Sequence, residues 1–544
     1  TPRGNYIENC IGQSVAATAF GLGPAGSVTG FVGNIALGSL AMAAGRLPDM
    51  ASRNIFYTTR ITADMETLID AQYSNTNWVG NTYADPKFVN QAGLDFHLLS
   101  ATGYKTNNGG WVTNPAVGFS PGIDFGARST SVGSEPDPNG GRVNVGLSAG
   151  TEEASKSNTN NWLFAMTFND GGTLWQTGRL EWAACTNFGA AATVDLQYTT
   201  NDWATTNAIA SVAATNESYV WAPTFSYPSV SWRVVEPVSG TVSTNAKPFS
   251  IRRTTNATFT FYVNDDSTAN DVYGMGLGDN AMDGAAASRP KRTLQAIVDA
   301  YQLRGGDAVY VDTGSYPGQT TSIGAYDSGS AGLPLRIYGS PNGSVFDRGN
   351  LSVDVLDLTG ASNLEIENLR LSGGRYGLNG GVSGIALRNM RFTGNANGVY
   401  VTGAGHTFDT CVAADNNTCA FIGTGAGSNQ WRNGVMWKSP TLIQASSNKT
   451  LSVSNSILVG TGPGAYLFGN QVVPGDFNLT WDAKPATTYQ SFSAFQNAGL
   501  GMGWTRSLYA EPLFADAANG DYHVRSSEER RVGKECRSRW SPYH

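Results

Sequence analysis

Two sets of residues have types and spacings that could do chemistry. Asp265, Asp266, Asp271, Asp279 and Asp283 fall within 19 residues of a stretch rich in Gly and Asn. Oxygen-rich loops suit Ca²⁺, and a calcium ion held here would be structural, although the spacing is not that of an EF-hand. The bland counterpart is a solvated acidic loop. The second set is Asp357, Asn379, Tyr400 and Phe421, spaced 22, 21 and 21 residues apart. Near-constant spacing would stack them as outward positions of one column, a surface able to contact carbohydrate. That column has one carboxylate, not the paired or tripled Asp that calcium-assisted elimination uses. Glycoside hydrolysis needs two carboxylates about 5–10 Å apart across a groove. Asp354 with Asp357, and Asp409 with Asp415, are close in sequence, but nothing singles either pair out.

Histidine adds little. His97 and His523 occupy one position of a repeated D-[FY]-H-[LV] motif, which suggests a terminal strand, and His544 lies in an anomalous tail. His406 falls at an inward position, as a wall or corner residue.

The elements that would position these residues are set by repeats. IENLRL (366–371), LRNMRF (387–392), FDTCVA (408–413), WRNGVMW (431–437) and VSNSIL (453–458) share a pattern. Each has an alternating run, a third position that is usually Asn, and a second alternating run. The third positions, Asn368, Asn389, Thr410, Asn433 and Asn455, are 21, 21, 23 and 22 residues apart. Alternation means strand, and Asn tolerates the left-handed corner between two strands. A period near 22 with strand, corner and strand in each unit predicts one coil of a parallel β-helix. Ile366, Leu387, Phe408, Trp431 and Val453 should then point inward. Glu367, Arg388, Asp409 and Arg432 should form an outward ladder of alternating charge. IENCI (7–11), VGNIAL (32–37) and SRNIFY (52–57) carry the same signal more faintly, with Asn9, Asn34 and Asn54 at the corner.

A longer repeat pairs YADPKFVNQAGLDFHL (83–98) with YAEPLFADAANGDYHV (509–524), with seven identities in sixteen at an offset of 426. The chain therefore reads as the end of one module and nearly all of a second. Two segments break the coil pattern. From Arg292 to Leu303, Leu294, Ile297, Val298 and Tyr301 recur at helical spacing. That helix could cover the mouth of the second solenoid, which would otherwise expose core and strand edges. Residues 158–252 hold six of the 13 Trp and alternate in TVDLQY, SYVWAP and VSWRVV, as in a small antiparallel sandwich.

The expected class is all-β: right-handed parallel β-helix modules at 1–157 and 253–526, joined by an immunoglobulin-like sandwich at 158–252. Composition agrees. Charged residues are only 14% and Gly is 66 of 544, as tight corners and stacked coils require. A formal charge of −7 disfavours a nucleic-acid partner, and no apolar run is long enough to span a bilayer. The final run SEERRVGKECRSRWSPYH (527–544) resembles a translated sequencing adapter and is expected to lie outside the fold. The Thr1 start, without Met, suggests a fragment. Outside the tail, Cys10, Cys185, Cys411 and Cys419 form no disulfide framework.

YVNDDSTANDVY (262–273), PKRTLQAIVDAY (290–301) and GDAVYVDTGSY (306–316) together resemble the opening of right-handed β-helix repeat proteins of the pectate-lyase-like superfamily. SPGIDFG (120–126) and PNGGRVNVG (138–146) resemble the closing segment of such modules. The resemblance implies a large secreted or cell-surface bacterial protein. It is specific for architecture and weak for activity. The expected role is an extended adhesion or carbohydrate-interaction scaffold, with a polysaccharide or surface glycan as partner. The alternative is a polysaccharide lyase or glycoside hydrolase.

Overall fold

The computed structural model describes residues 6–8, 11–22, 30–42, 50–57, 78–189, 191–254, 256–425, 427–447, 450–462, 464–469, 471–485, 491–497 and 504–525. Asn9, Cys10 and the tail at 527–544 lie outside them. The chain divides into two compact units, Thr1–Ala257 with Asp299–Gln302, and Thr258–Val298 with Leu303–His544.

The second unit is a parallel β-helix of three sheets. Its first sheet stacks nine strands from Thr260–Val263 to Gly475–Asp476, its second nine from Gly314–Ser315 to Leu508–Tyr509, and its third seven from Thr321–Ser322 to Tyr466–Phe468. Every pairing within these sheets is parallel and joins neighbouring coils. The predicted corners are where the period put them. Asn368, Asn389, Thr410, Asn433 and Asn455 all have φ between 49° and 63°. Ile366, Leu387, Phe408, Trp431 and Val453 are fully buried as one inward column. Phe408 stacks on Trp431 with ring centroids 5.5 Å apart. Buried amides support other turns: Asn395 Nδ2 donates to Leu371 O, and Asn416 Oδ1 accepts from Asn395 N.

The first unit holds a shorter solenoid of two four-strand parallel ladders, ending at Trp78–Val79 and Thr82–Tyr83. Its corner differs by one residue from expectation. Gly33, Arg53 and Gly80 take the left-handed conformation. Asn34 and Asn54 follow it and point inward, fully buried with Asn81. They form a ladder in which Asn34 Nδ2 donates to Asn54 Oδ1 at 3.2 Å and Asn54 Nδ2 to Asn81 Oδ1 at 2.7 Å. Asn serves here for its two-sided hydrogen bonding, which satisfies buried backbone groups, and not for tolerance of positive φ.

The same unit contains a β-sandwich. One sheet is Leu163–Ala165, Gly178–Ala184 and Ser218–Trp221, all antiparallel. The other runs Thr173–Trp175, Phe249–Arg252, Tyr227–Glu236, Thr193–Thr199 and Asn207–Ala213, with Thr241–Thr244 beside Tyr227–Glu236. Trp182 and Trp232 fill the core, and their indoles donate to Ala214 O and Thr167 O. Buried Trp needs such a partner.

The helix is shorter than its periodicity predicts, Leu294–Val298 instead of Arg292–Leu303. Leu294, Ile297 and Tyr301 are buried as expected. However, Asp299–Gln302 group with the first unit, where Ala300 O accepts from Gly172 N at 3.1 Å. That tertiary bond replaces the next helical turn.

Candidate functional site

The third sheet of the second unit carries the column singled out by spacing. Leu356–Asp357, Tyr376–Asn379 and Asn397–Val401 are consecutive strands, and Asp357, Asn379 and Tyr400 are directly in register. Phe421 does not continue the column. Tyr400 pairs with Ile422, followed by Gln444, while Phe421 pairs with Val399 and is fully buried. The coil here is one residue longer than a step of 21 assumes, and a one-residue slip turns a strand residue to the opposite face. Phe421 is therefore core, set edge-on against Phe408 at 5.5 Å.

Around the remaining column the fold assembles Asp354, which sequence weighed only beside Asp357, with Arg375 and Tyr376, which sequence reasoning missed. Asp354, nearly buried, receives Arg375 as a fork: Nε to Oδ1 at 2.9 Å and Nη2 to Oδ2 at 2.8 Å. Asn379 Nδ2 also donates to Asp354 Oδ2, at 2.8 Å. The Asp354 hydrogen bond holds Arg375 more firmly protonated than usual. The Arg375 guanidinium lies 5.0 Å from the centroid of the Tyr376 ring. Tyr376 in turn stacks on Tyr400, with centroids 4.8 Å apart and planes at 24°. Asp357 is occupied locally, its Oδ1 accepting from Thr359 N and Oγ1. The result is a half-exposed aromatic pair flanked by a fixed carboxylate, guanidinium and amide. Tyr376 was hidden because it stands three residues before Asn379 on the same strand, in register with Asn397 and not with Tyr400.

The outward charge ladder is present on the first sheet. Arg388 pairs with Glu367 at 3.5 Å and Arg432 with Asp409 at 3.1 Å. Nearer the solenoid mouth the same column becomes a tyrosine stack, Tyr262, Tyr310 and Tyr338, with centroids 6.0 and 5.3 Å apart. Long loops separate these tyrosines, so no 22-residue period marks them.

The acidic loop does not form a common ligand set. Asp266 pairs with Arg292 at 2.7 Å and Asp283 with Arg289 at 2.6 Å. Asp279 Oδ1 accepts from Ala281 N, and Asp265 accepts from Ser267 N and Ser315 N. Asp271 accepts from Asn264 Nδ2. Among the described residues no three His, Cys, Asp or Glu side chains come together to hold a metal ion. Asp265, Asp266, Asp279 and Asp283 shape the loop through turns or ion pairs and Asp271 through the Asn264 amide, so the five carboxylates do not converge on one point in this structure.

His406 is buried on the inner wall. Its Nδ1 accepts from Ile385 N at 3.3 Å, and burial lowers its pKa to about 4. Cys411 and Cys419 are buried free thiols, each pushed up to about 12 by burial. In the first unit a cavity of about 370 Å³ is lined by Tyr83, Phe119, Asp124, Trp162, Phe164 and Asn169 among others.

No family model matches the sequence, and no curated protein matches it. Among solved structures, pectate lyase Pel9A matches over 43% of this chain and 66% of its own, at 14% identity and a TM-score of 0.34. Pectate lyase Pel3 from Pectobacterium carotovorum matches over 60% of this chain and 88% of its own, at 13% identity and a TM-score of 0.22. The parallel β-helix itself is fixed by the chain's own ladders of nine, nine and seven strands. The chain is an all-β protein built on a parallel β-helix.

Proposed function

We propose that this chain is part of a secreted or cell-surface protein whose solenoid is an extended carbohydrate-interaction scaffold, with an immunoglobulin-like sandwich as spacer. The observation that carries the reading is the Tyr376–Tyr400 stack beside Asp354, Arg375 and Asn379. Stacked rings offer an apolar platform for the C–H face of a sugar, and the fixed polar groups beside them can bond its hydroxyls. Asp354 is committed to Arg375 and Asn379, which suits orientation of a ligand better than proton transfer.

The test is a polysaccharide panel presented to the full chain, read by calorimetry and by affinity electrophoresis. Binding to one or more glycans is expected, weakened about three- to tenfold by Tyr376→Ala or Tyr400→Ala, since an aromatic contact contributes about 0.5–1.5 kcal/mol. The same samples are read for unsaturated products in the ultraviolet and for new reducing ends. Turnover would replace the scaffold reading with the lyase or hydrolase one. Absence of binding across the panel, or binding indifferent to both substitutions, would remove the site.

A further inference from the structure

Outward arginines of the second solenoid are, as a rule, paired. Arg336 meets Glu365, Arg375 meets Asp354, Arg388 meets Glu367, Arg432 meets Asp409 and Arg506 meets Asp476. Arg348 donates to Thr320 Oγ1 and Gly318 O instead, and Arg370 and Arg391 also break that rule. They are in direct register on neighbouring strands of the second sheet, so the coil spacing of about 4.8 Å forces two like charges together. Like charges directly opposite each other are unfavourable. Neither forms an ion pair with a carboxylate among the described residues. Arg391 Nη1 is anchored on Gly520 O at 2.9 Å, and Asp521 is near enough to feel its charge without bonding it. Partial burial, with the charge of Arg391 added, makes Arg370 easier to deprotonate than a free arginine.

The pair lines a polar cleft of about 80 Å³, with Ser340, Pro341, Gly343, Asn368 and Asn389 as the other walls. The cleft is shaped for the guanidinium. Gly343 has φ of 119°, and a Cβ there would stand 3.0 Å from Arg370 Cζ. The corner amides are linked, Asn389 Nδ2 donating to Asn368 Oδ1 at 2.7 Å. A volume of that order holds a group the size of a few water molecules, not a sugar ring. Two guanidinium-bearing side chains lining so small a space match a tetrahedral oxyanion.

We propose that Arg370 and Arg391, with the Asn368–Asn389 corner, form a binding site for a sulfate or phosphate monoester group carried by a larger ligand. The site lies on a different sheet from the tyrosine pair and does not depend on the carbohydrate reading. A repulsive pair kept in register and a cleft cut to the guanidinium both point to an anion as the missing partner.

The experiment is calorimetric titration of the full chain with sodium sulfate, sodium phosphate and, as a planar control, sodium acetate, at low and constant ionic strength. Sulfate or phosphate should bind, with acetate at least tenfold weaker. Arg370→Gln and Arg391→Gln should each weaken the tetrahedral anion at least tenfold, and the double variant should abolish binding. Arg370→Lys should weaken it less than Arg370→Gln. Melting temperature gives an independent reading. Without anion, the double variant should melt at or above the parent, because a repulsion has been removed, and sulfate should raise the melting temperature of the parent alone. A sulfated polysaccharide compared with its desulfated form, and a phosphorylated glycan with its dephosphorylated form, identify the source. No binding of either inorganic anion by the parent, equal binding by the double variant, or acetate binding as tightly as sulfate would each overturn the proposal.

Discussion

Thr82–Tyr83 and Leu508–Tyr509 are the last strands of their ladders, and each is followed by an antiparallel hairpin. The hairpins are Phe88–Asn90 with Asp95–Leu98, and Phe514–Asp516 with Asp521–Val524. The sequence repeat is thus a terminal rung plus a hairpin. Counting back along the ladders from this shared landmark aligns Thr82, Ile55, Ile35 and Ile11 with Leu508, Leu479, Ile457 and Val435. Apart from Thr82, whose hydroxyl donates to Met166 O, both columns are apolar, and both face away from the solenoid core. In the first unit Ile35 and Ile55 are fully buried in one cluster with Ile123, Phe125 and Val145. Gly146 comes so close that a Cβ would stand 2.9 Å from the Ile35 Cδ1 atom. In the second unit Val435, Ile457 and Leu479 are only half-buried. Leu508 is 66% exposed, and Val524 is 54% exposed where its counterpart Leu98 is 2%. The second hairpin does cover part of its sheet, packing Phe514 and Tyr522 against Trp437. The comparison teaches that an outward solenoid face is apolar where it is made to receive another layer. Inward and outward therefore do not mean apolar and polar on every sheet.

The largest expected effect lies in what fastens that layer in the first unit. Glu217 accepts from Arg53 Nη2 at 2.8 Å, Arg128 Nε at 2.9 Å and Arg142 Nη1 at 2.5 Å. Arg142 is wholly buried and also donates to Gly126 O and Ala184 O. Glu217→Gln leaves three guanidinium groups facing one another, and breaking a buried pair costs about 3–5 kcal/mol. Urea unfolding should show the loss in the transition of the first unit and none in that of the second. Burial pushes the Glu217 carboxyl up, but Arg142, Arg53 and Arg128 together pull it further down, to a net value below the usual range. Its contribution is therefore present above the unfolded pKa, about 4.3, and is lost as pH falls through the lower folded value. The variant and the parent should converge in acid.

A matched pair of truncations tests the cover itself. Ile55→Ala removes a fully buried side chain and should cost about 2–4 kcal/mol. Leu479→Ala, at the aligned but half-buried position, should cost less than about 1 kcal/mol. Equal losses, measured by denaturant unfolding of each unit, would mean that the second column is buried as fully as the first.

Much of the second solenoid was legible in sequence because its coils from Asn368 to Asn455 differ by at most two residues, so Asn368, Asn389, Thr410, Asn433 and Asn455 stay in phase. The same regularity failed at Phe421, where one added residue turned a presumed ligand contact into core. It failed again in the first solenoid, where Asn34 and Asn54 share a residue type with those corners but serve as inward ladders. Residue type cannot separate the two uses of Asn. Its neighbour can: Gly33 and Gly80 precede the ladder residues, and glycine is the natural occupant of positive φ. Arg53 is the exception, and its side chain is engaged with Glu217. The candidate site was half legible. Asp357, Asn379 and Tyr400 follow the period, whereas Asp354, Arg375 and Tyr376 come together only through the pleat and the coil stagger.

The smallest effect is expected where the two copies look most alike. Asp95 Oδ1 lies 2.7 Å from His97 Nδ1, and Asp521 Oδ1 lies 2.6 Å from His523 Nδ1. Only the first pair is built into a wider network: Asp95 Oδ2 accepts from Asn107 N at 2.9 Å, and His97 Nε2 faces Glu153 at 3.4 Å. For Asp95, burial raises the pKa, but the Asn107 N–H and the His97 contacts lower it by more, for a net decrease. A depressed carboxylate stabilises above its unfolded pKa of about 3.9 and loses that contribution as pH falls through the folded value. Asp95→Asn should therefore cost about 1–2 kcal/mol near neutral pH, the scale of a charged hydrogen bond, and progressively less in acid as pH falls through the folded value. Asp521 is also lowered, by the backbone N–H and the ring of His523. With His523 91% exposed, however, solvent screens that pair, so Asp521→Asn should leave the second unit unchanged at neutral or acid pH. If Asp521→Asn proved as costly as Asp95→Asn, the second hairpin would be held as firmly as the first. The contrast between a covered and an uncovered copy would then fail at the residues that first revealed the repeat.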